Sequence, residues 1–153
     1  MDLVAALQSA PVSSPELESY LERVVVEAGE VPDPDRVFPY VFRFFERYPD
    51  AELGMPGPLV HFVERYYPRY VDELERSLKR KPTTYAVWMV HRVLNSAVPS
   101  DMKQRLLPML ESVLQHAKAD DLAKEAATTF LALARERGQG GARGGTGQGG
   151  RPS

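Results

Sequence analysis

Three histidines, one basic cluster and a lone arginine on an apolar helix are the side chains in this sequence best suited to chemistry. His61 and Glu64 stand at i,i+3, close enough on a helix to share a metal or a proton. A di-iron centre needs two Glu-x-x-His motifs and further carboxylates on facing helices, whereas here a single pair runs in reversed order. The simpler expectation is a histidine at a helix junction, hydrogen-bonded to a carbonyl or a nearby acid. His91 falls beside Arg92 on an apolar helix. His116 falls near a helix end, where an imidazolium would suit the dipole. The chain has no cysteine, which removes disulfides, thiolate metal sites and a thiol nucleophile. Ser77, Ser96, Ser100 and Ser112 occupy helix faces or caps rather than the strained turn a nucleophilic serine needs. The run Gly54-Met55-Pro56-Gly57 is not a phosphate loop, because no strand precedes it, no Lys-Ser/Thr follows it, and Pro56 lacks an N–H. These residues predict no enzyme, no metal and no cofactor.

Polar residues on otherwise apolar helices remain, and they point to binding. Arg80, Lys81, Arg92 and Asn95 flank Trp88, and on a stack of helix pairs such residues meet a partner. The competing expectation for Arg92 is an internal pair with Asp50, Glu64 or Asp72, since an arginine among apolar residues requires an acceptor. The charge distribution adds a second candidate surface. The net charge is −2, yet residues 1–36 hold eight acids against Arg23 and Arg36, a local charge of −6. Glu16, Glu18 and Glu22 are the acids expected to steer a basic partner, unless they simply solvate one face. The short run Lys79-Arg80-Lys81 and the negative total argue against nucleic acid.

The elements that position these residues read as helices throughout. Ser14-Pro15 opens a helix with Leu17, Leu21, Val24 and Ala28 at helical spacing, ended by Gly29. Asp33-Pro34-Asp35 opens the next, in which Val37, Phe38, Val41, Phe42, Phe44 and Phe45 exceed one stripe and predict a helix covered on two sides. Phe42, Phe45 and Trp88 are the expected aromatic core. Gly54, Pro56, Gly57 and Pro58 form a rigid corner, and Pro58 starts a short helix that Pro68 stops. Tyr70, Val71, Leu74, Ser77 and Leu78 make an amphipathic stripe, with Glu75 and Lys79 paired at i,i+4 on its outer side. Thr83 or Thr84 caps an apolar helix that reaches about Asn95. Ser100-Asp101 opens another, with Met102, Leu106, Met109, Leu110 and Val113 inward and Pro108 kinking it. Asp120 or Asp121 caps the last, with Leu122, Ala126, Phe130 and Leu133 inward and Gly138 as its end.

No stretch alternates with period two, so the expected fold is all-α with seven or eight helices in one domain, 1–137. Eight of the 11 glycines lie in 138–153, which predicts a disordered Gly-rich tail. That tail holds one Arg143-Gly144-Gly145, a single copy of an RNA-binding element. Pairing the segments 36–66, 68–96 and 100–137 gives helix pairs every thirty-odd residues, the pattern of an antiparallel HEAT-like α-solenoid capped by the N-terminal helices. An irregular helical bundle is the alternative. The N-terminus lacks the basic start and long apolar run of a signal peptide, and no segment is long enough to span a bilayer, which predicts a cytoplasmic protein.

The stretch Asp50 to Asn95, with Gly54-Met55-Pro56-Gly57-Pro58, Ser77-Leu78-Lys79-Arg80-Lys81-Pro82-Thr83 and Val87-Trp88-Met89-Val90-His91-Arg92-Val93-Leu94-Asn95, resembles a group of small bacterial helical proteins. That group is associated with loci of secreted polymorphic toxins, where its members are regarded as immunity proteins. The likeness spans about a third of the chain and departs at His91, where asparagine is usual in the group. It implies a protein that binds and neutralises a toxin domain encoded upstream. The alternative function is a non-enzymatic helical scaffold or adaptor in a cytoplasmic complex.

Overall fold

The computed structural model describes residues 2–149, and the side chains as far as residue 137. Among the described residues there are eight helices and no strand: α1 Leu3–Gln8, α2 Leu17–Ala28, α3 Pro34–Arg47, α4 Pro58–Glu64, α5 Val71–Arg80, α6 Thr84–Leu94, α7 Ser100–Leu114 and α8 Asp121–Gly149. The protein is all-α. Local chemistry explains most of the boundaries. Asp2 caps α1 by accepting from the amides of Val4 and Ala5. Thr83 caps α6 through Ala86 N–H, and Asp120 accepts from Ala123 N–H at the start of α8. Prolines open α3 and α4 at positions where a missing N–H costs nothing. Pro108 lies inside α7, which continues through it. α8 likewise continues past Gly138, where glycine predicts its end. The boundary expected there between domain and tail falls on side chains outside the described residues.

The helices pack in a regular succession. α1 contacts α3, α3 contacts α5 and α5 contacts α7, while α2 contacts α4 and α6 contacts α8. Sequence neighbours α1 and α2, α5 and α6, α6 and α7, and α7 and α8 also meet. The expected pairing of α3 with α4 is replaced by α4 lying on α2. The reason lies in the connector, residues 48–57, which is long enough to carry the chain across and is anchored by the fully buried Leu53. Tyr85 of α6 holds it in place: its hydroxyl accepts from Leu53 N–H at 3.1 Å and donates to the carbonyl of Ala51.

Two glycines make that connector possible. Gly54 and Gly57 have φ of 92° and 87°, the left-handed region that side chains avoid. A Cβ on Gly57 would lie 2.0 Å from the carbonyl oxygen of Leu53. Gly57→Ala is therefore expected to cost at least about 1–3 kcal/mol, the range for a residue forced into such a conformation. Urea denaturation checks this, and a midpoint equal to wild type would show that the corner is not rigid.

The core is continuous from α1 to α8 and richest in aromatic rings around α3. Phe38, Phe42 and Phe45 are buried on α3, with Phe45 stacked on Tyr85 at 5.2 Å and edge-on to Phe42 at 5.7 Å. Trp88 is packed against the core with part of its surface exposed, edge-on to Phe130 of α8 at 4.9 Å, on the rim of α6 where α8 crosses. The inward face of α8 differs in part from expectation. Phe130 is buried as expected, but Leu122 and Leu133 are 61% and 42% exposed, and Ala123, Ala127 and Leu131 face the core in their place. Small alanines let α8 approach α6 and α7 closely, whereas sequence periodicity favoured the larger leucines one position away.

Candidate interaction surface

The histidines form no chemical centre. His61 Nδ1 lies 3.7 Å from Glu64 Oε1, and no group of three or more metal-ligating side chains exists among the described residues. His116 is structural. Its Nε2 donates to the carbonyl of Lys79 at 2.7 Å, while Nδ1 accepts from Lys118 N–H, joining the α7–α8 turn to the end of α5.

His91 is in a different situation. It stacks on Phe130 at 3.9 Å and sits edge-on to Trp88, and its buried Nδ1 has no hydrogen-bond partner. Burial pulls its pKa below the ordinary 6.5, and the charges of Arg137 and Arg92 pull it in the same direction. The folded state thus holds His91 neutral, whereas the unfolded chain takes up a proton as the pH drops through 6.5. This part of the stability is present above 6.5 and is lost as the pH falls from there towards the lower folded value. The melting temperature of wild type should accordingly drop more between pH 7.5 and 5.5 than that of His91→Gln. Equal drops would remove His91 as the cause.

The arginines expected at a partner surface are mostly committed inside the fold. Arg92 on α6 forms a forked pair with Glu64 on α4, at 2.6 and 3.0 Å. This settles the choice among its three possible acids by geometry. Arg80 lies elsewhere, between α3 and α5, where it binds Glu46 at 2.8 Å and Glu73 at 3.0 Å. Ser77 donates to the same Glu46 carboxylate at 2.7 Å. Arg80 and Arg92 are therefore clasps between helices rather than members of one face. Lys81 is half-buried and lacks an ion pair among the described residues. Asn95 is exposed and accepts from Arg137, and it shares with Arg92, Glu64 and Tyr67 a groove of about 380 Å³.

The acids expected to steer a partner lie in a more promising place. Glu16, Glu18 and Glu22 are all exposed. Glu18 and Glu22 border a shallow groove of about 420 Å³ whose floor is Val25, Val26, Met55 and Pro58. Val26 and Met55 are 76% and 51% exposed, so two of the large apolar side chains left in solvent sit together beside two carboxylates. Gly54, Pro56, Gly57 and Pro58 fix this edge, because their turn presents Met55 at its tip. The sequence held a signal for it: three consecutive valines, Val24-Val25-Val26, cannot all face inward on a helix that turns 3.6 residues. Val24 is buried and Val26 is turned out.

No protein-family model matches the chain, and neither does any curated protein or solved structure. Among the described residues no helix is long and apolar enough to cross a membrane.

Proposed function

We propose that this protein is a cytoplasmic immunity protein without catalytic activity, which binds a toxin domain through the groove between α2 and the Gly54–Pro58 corner. The observation that carries this reading is the coincidence of exposed Val26 and Met55 with Glu18 and Glu22. Apolar side chains ringed by like charges are the composition of a binding centre with a charged rim, and acids fit a basic partner such as a nuclease domain. The scaffold beneath it is inferred to be a short HEAT-like stack. In support, ion pairs join three of the helices to the one two places later: Glu46 of α3 to Arg80 of α5, Glu64 of α4 to Arg92 of α6, and Asp72 and Glu75 of α5 to Arg105 of α7. A repeated lateral clasp of this kind is what holds successive units of a solenoid in register.

The test is co-expression with the C-terminal domain of the secreted protein encoded immediately upstream. Growth should be rescued and a stable complex recovered. Met55→Asp or Val26→Asp should weaken that complex by about 30-fold or more, the loss expected at a binding centre, mainly through a faster off-rate. Reversing Glu16, Glu18 and Glu22 to lysine should slow association and leave the off-rate unchanged, as rim charges act on encounter. No rescue and no complex would sink the immunity reading, and recovery in a housekeeping assembly of the same cell would replace it with a scaffold role.

A further inference from the structure

A second groove lies between α1 and α3, and its chemistry is opposite to that of the first. Its volume is about 520 Å³, and no carboxylate lines it. Val4 and Leu7 of α1 form one wall; Phe44, Tyr40, Arg43 and Arg47 of α3 form the other. Arg43 and Arg47 are exposed and one helical turn apart. Neither makes an ion pair among the described residues, a property shared with Arg23, Arg65, Arg135 and Arg137, but here two such arginines line one groove. Like charges at this spacing repel, and an anion held between them would relieve that repulsion. Tyr40 is 48% exposed beside them and presents an aromatic face to the same space.

We propose that this groove binds a phosphomonoester carried on an apolar or aromatic body. Two guanidiniums with no neighbouring acid offer two positive charges and a set of forked donors, which match the dianion and the three terminal oxygens of a phosphate monoester. A carboxylate carries one charge and would compensate only half of the positive charge of the two guanidiniums. The apolar wall of Val4, Leu7 and Phe44, with Tyr40 at the mouth, suits a hydrophobic or flat group attached to that head. The volume lies within the usual range of small-molecule sites, about 300–1,000 Å³. Nothing in this site depends on the groove at α2, so either can fail without the other.

Isothermal titration calorimetry on the full chain at low ionic strength tests it, with phenyl phosphate, inorganic phosphate and benzoate as probes. Phenyl phosphate should bind with Kd below about 1 mM, and removing its apolar body, as in inorganic phosphate, should weaken binding about tenfold. Benzoate, which keeps the ring and loses one charge, should also bind more weakly. Arg43→Gln and Arg47→Gln are surface changes expected to leave the melting temperature intact, and each should weaken phenyl phosphate about tenfold. Tyr40→Ala should weaken phenyl phosphate and leave inorganic phosphate unchanged. The proposal is overturned if phenyl phosphate gives no saturable heat, if both arginine variants bind it as wild type does, or if inorganic phosphate binds equally well.

Discussion

Phe45→Ala is expected to lower the unfolding free energy by about 3–5 kcal/mol, the range for emptying a large aromatic site in a packed core. Phe45 is fully buried where α3 meets α6. Its ring stacks on Tyr85 of α6 and meets Phe42 edge-on within α3. The loss therefore has two parts. One is the cavity itself, which the surrounding rings cannot fill because Phe42 and Tyr85 are each held by their own contacts. The other is the support of Tyr85, whose hydroxyl fixes the connector at Leu53 and Ala51. A burial of Tyr85 that pushes its phenol pKa upward reflects the same dry environment. Urea denaturation should show a lower midpoint with an unchanged slope, the mark of lost stability without a change in the exposed surface. A cost under about 1 kcal/mol would mean that the α3–α6 contact relaxes freely, contrary to the packing described.

Arg80→Ala is expected to cost about 3 kcal/mol, the lower end of the range for breaking a buried pair, since the Arg80 side chain keeps 28% exposure. The charges it serves are better hidden: the Glu46 and Glu73 side chains are 11% and 7% exposed. Their combined hydrogen bonds, Glu46 first, hold the guanidinium pKa above its ordinary value. Without Arg80 two carboxylates face each other across α3 and α5 with only Ser77 and Arg76 nearby. The cost thus arises from stranded charge more than from a lost attraction. That distinction is measurable. Arg80→Met combined with Glu46→Leu and Glu73→Leu should recover most of the loss, because an apolar trio of similar volume has no charge to strand. Arg80→Lys should recover only part, since an ammonium cannot reproduce the fork that spans both acids. If Arg80→Ala unfolds at the wild-type urea midpoint, the clasp between α3 and α5 contributes nothing and the stacked arrangement loses its main electrostatic support.

Helix positions were legible because their signals are local. A proline at N1, an Asp or Thr cap and a stripe with period 3.6 all act within one or two turns. Asp33-Pro34, Thr83 and Asp120 accordingly mark starts that the structure reproduces. The same locality explains the errors. Leu122 and Leu133 were chosen for α8 by size and period, yet the inward face is set by how near α6 and α7 allow a helix to come, and alanine permits the closest approach. The type of Trp88 points to the core, while its place at the rim of α6 depends on where α8 crosses.

Of the candidate site, the acids were visible and their companions were not. Glu18 and Glu22 are recognisable from charge alone, whereas Met55 joins them only because the Gly54–Pro58 turn folds back over α2, thirty residues away in sequence. By itself the sequence determined that this chain is helical, where most of its helices begin, and that its first third is acidic, since propensity, capping and charge belong to single residues and their near neighbours; α2 begins at Leu17 rather than at Pro15. Only the tertiary structure decided that Arg80 and Arg92 clasp helices, that α4 lies on α2, and that Val26 and Met55 share one groove. Those outcomes depend on contacts across roughly 30 residues, where a small change in the angle between packed helices selects a different neighbour.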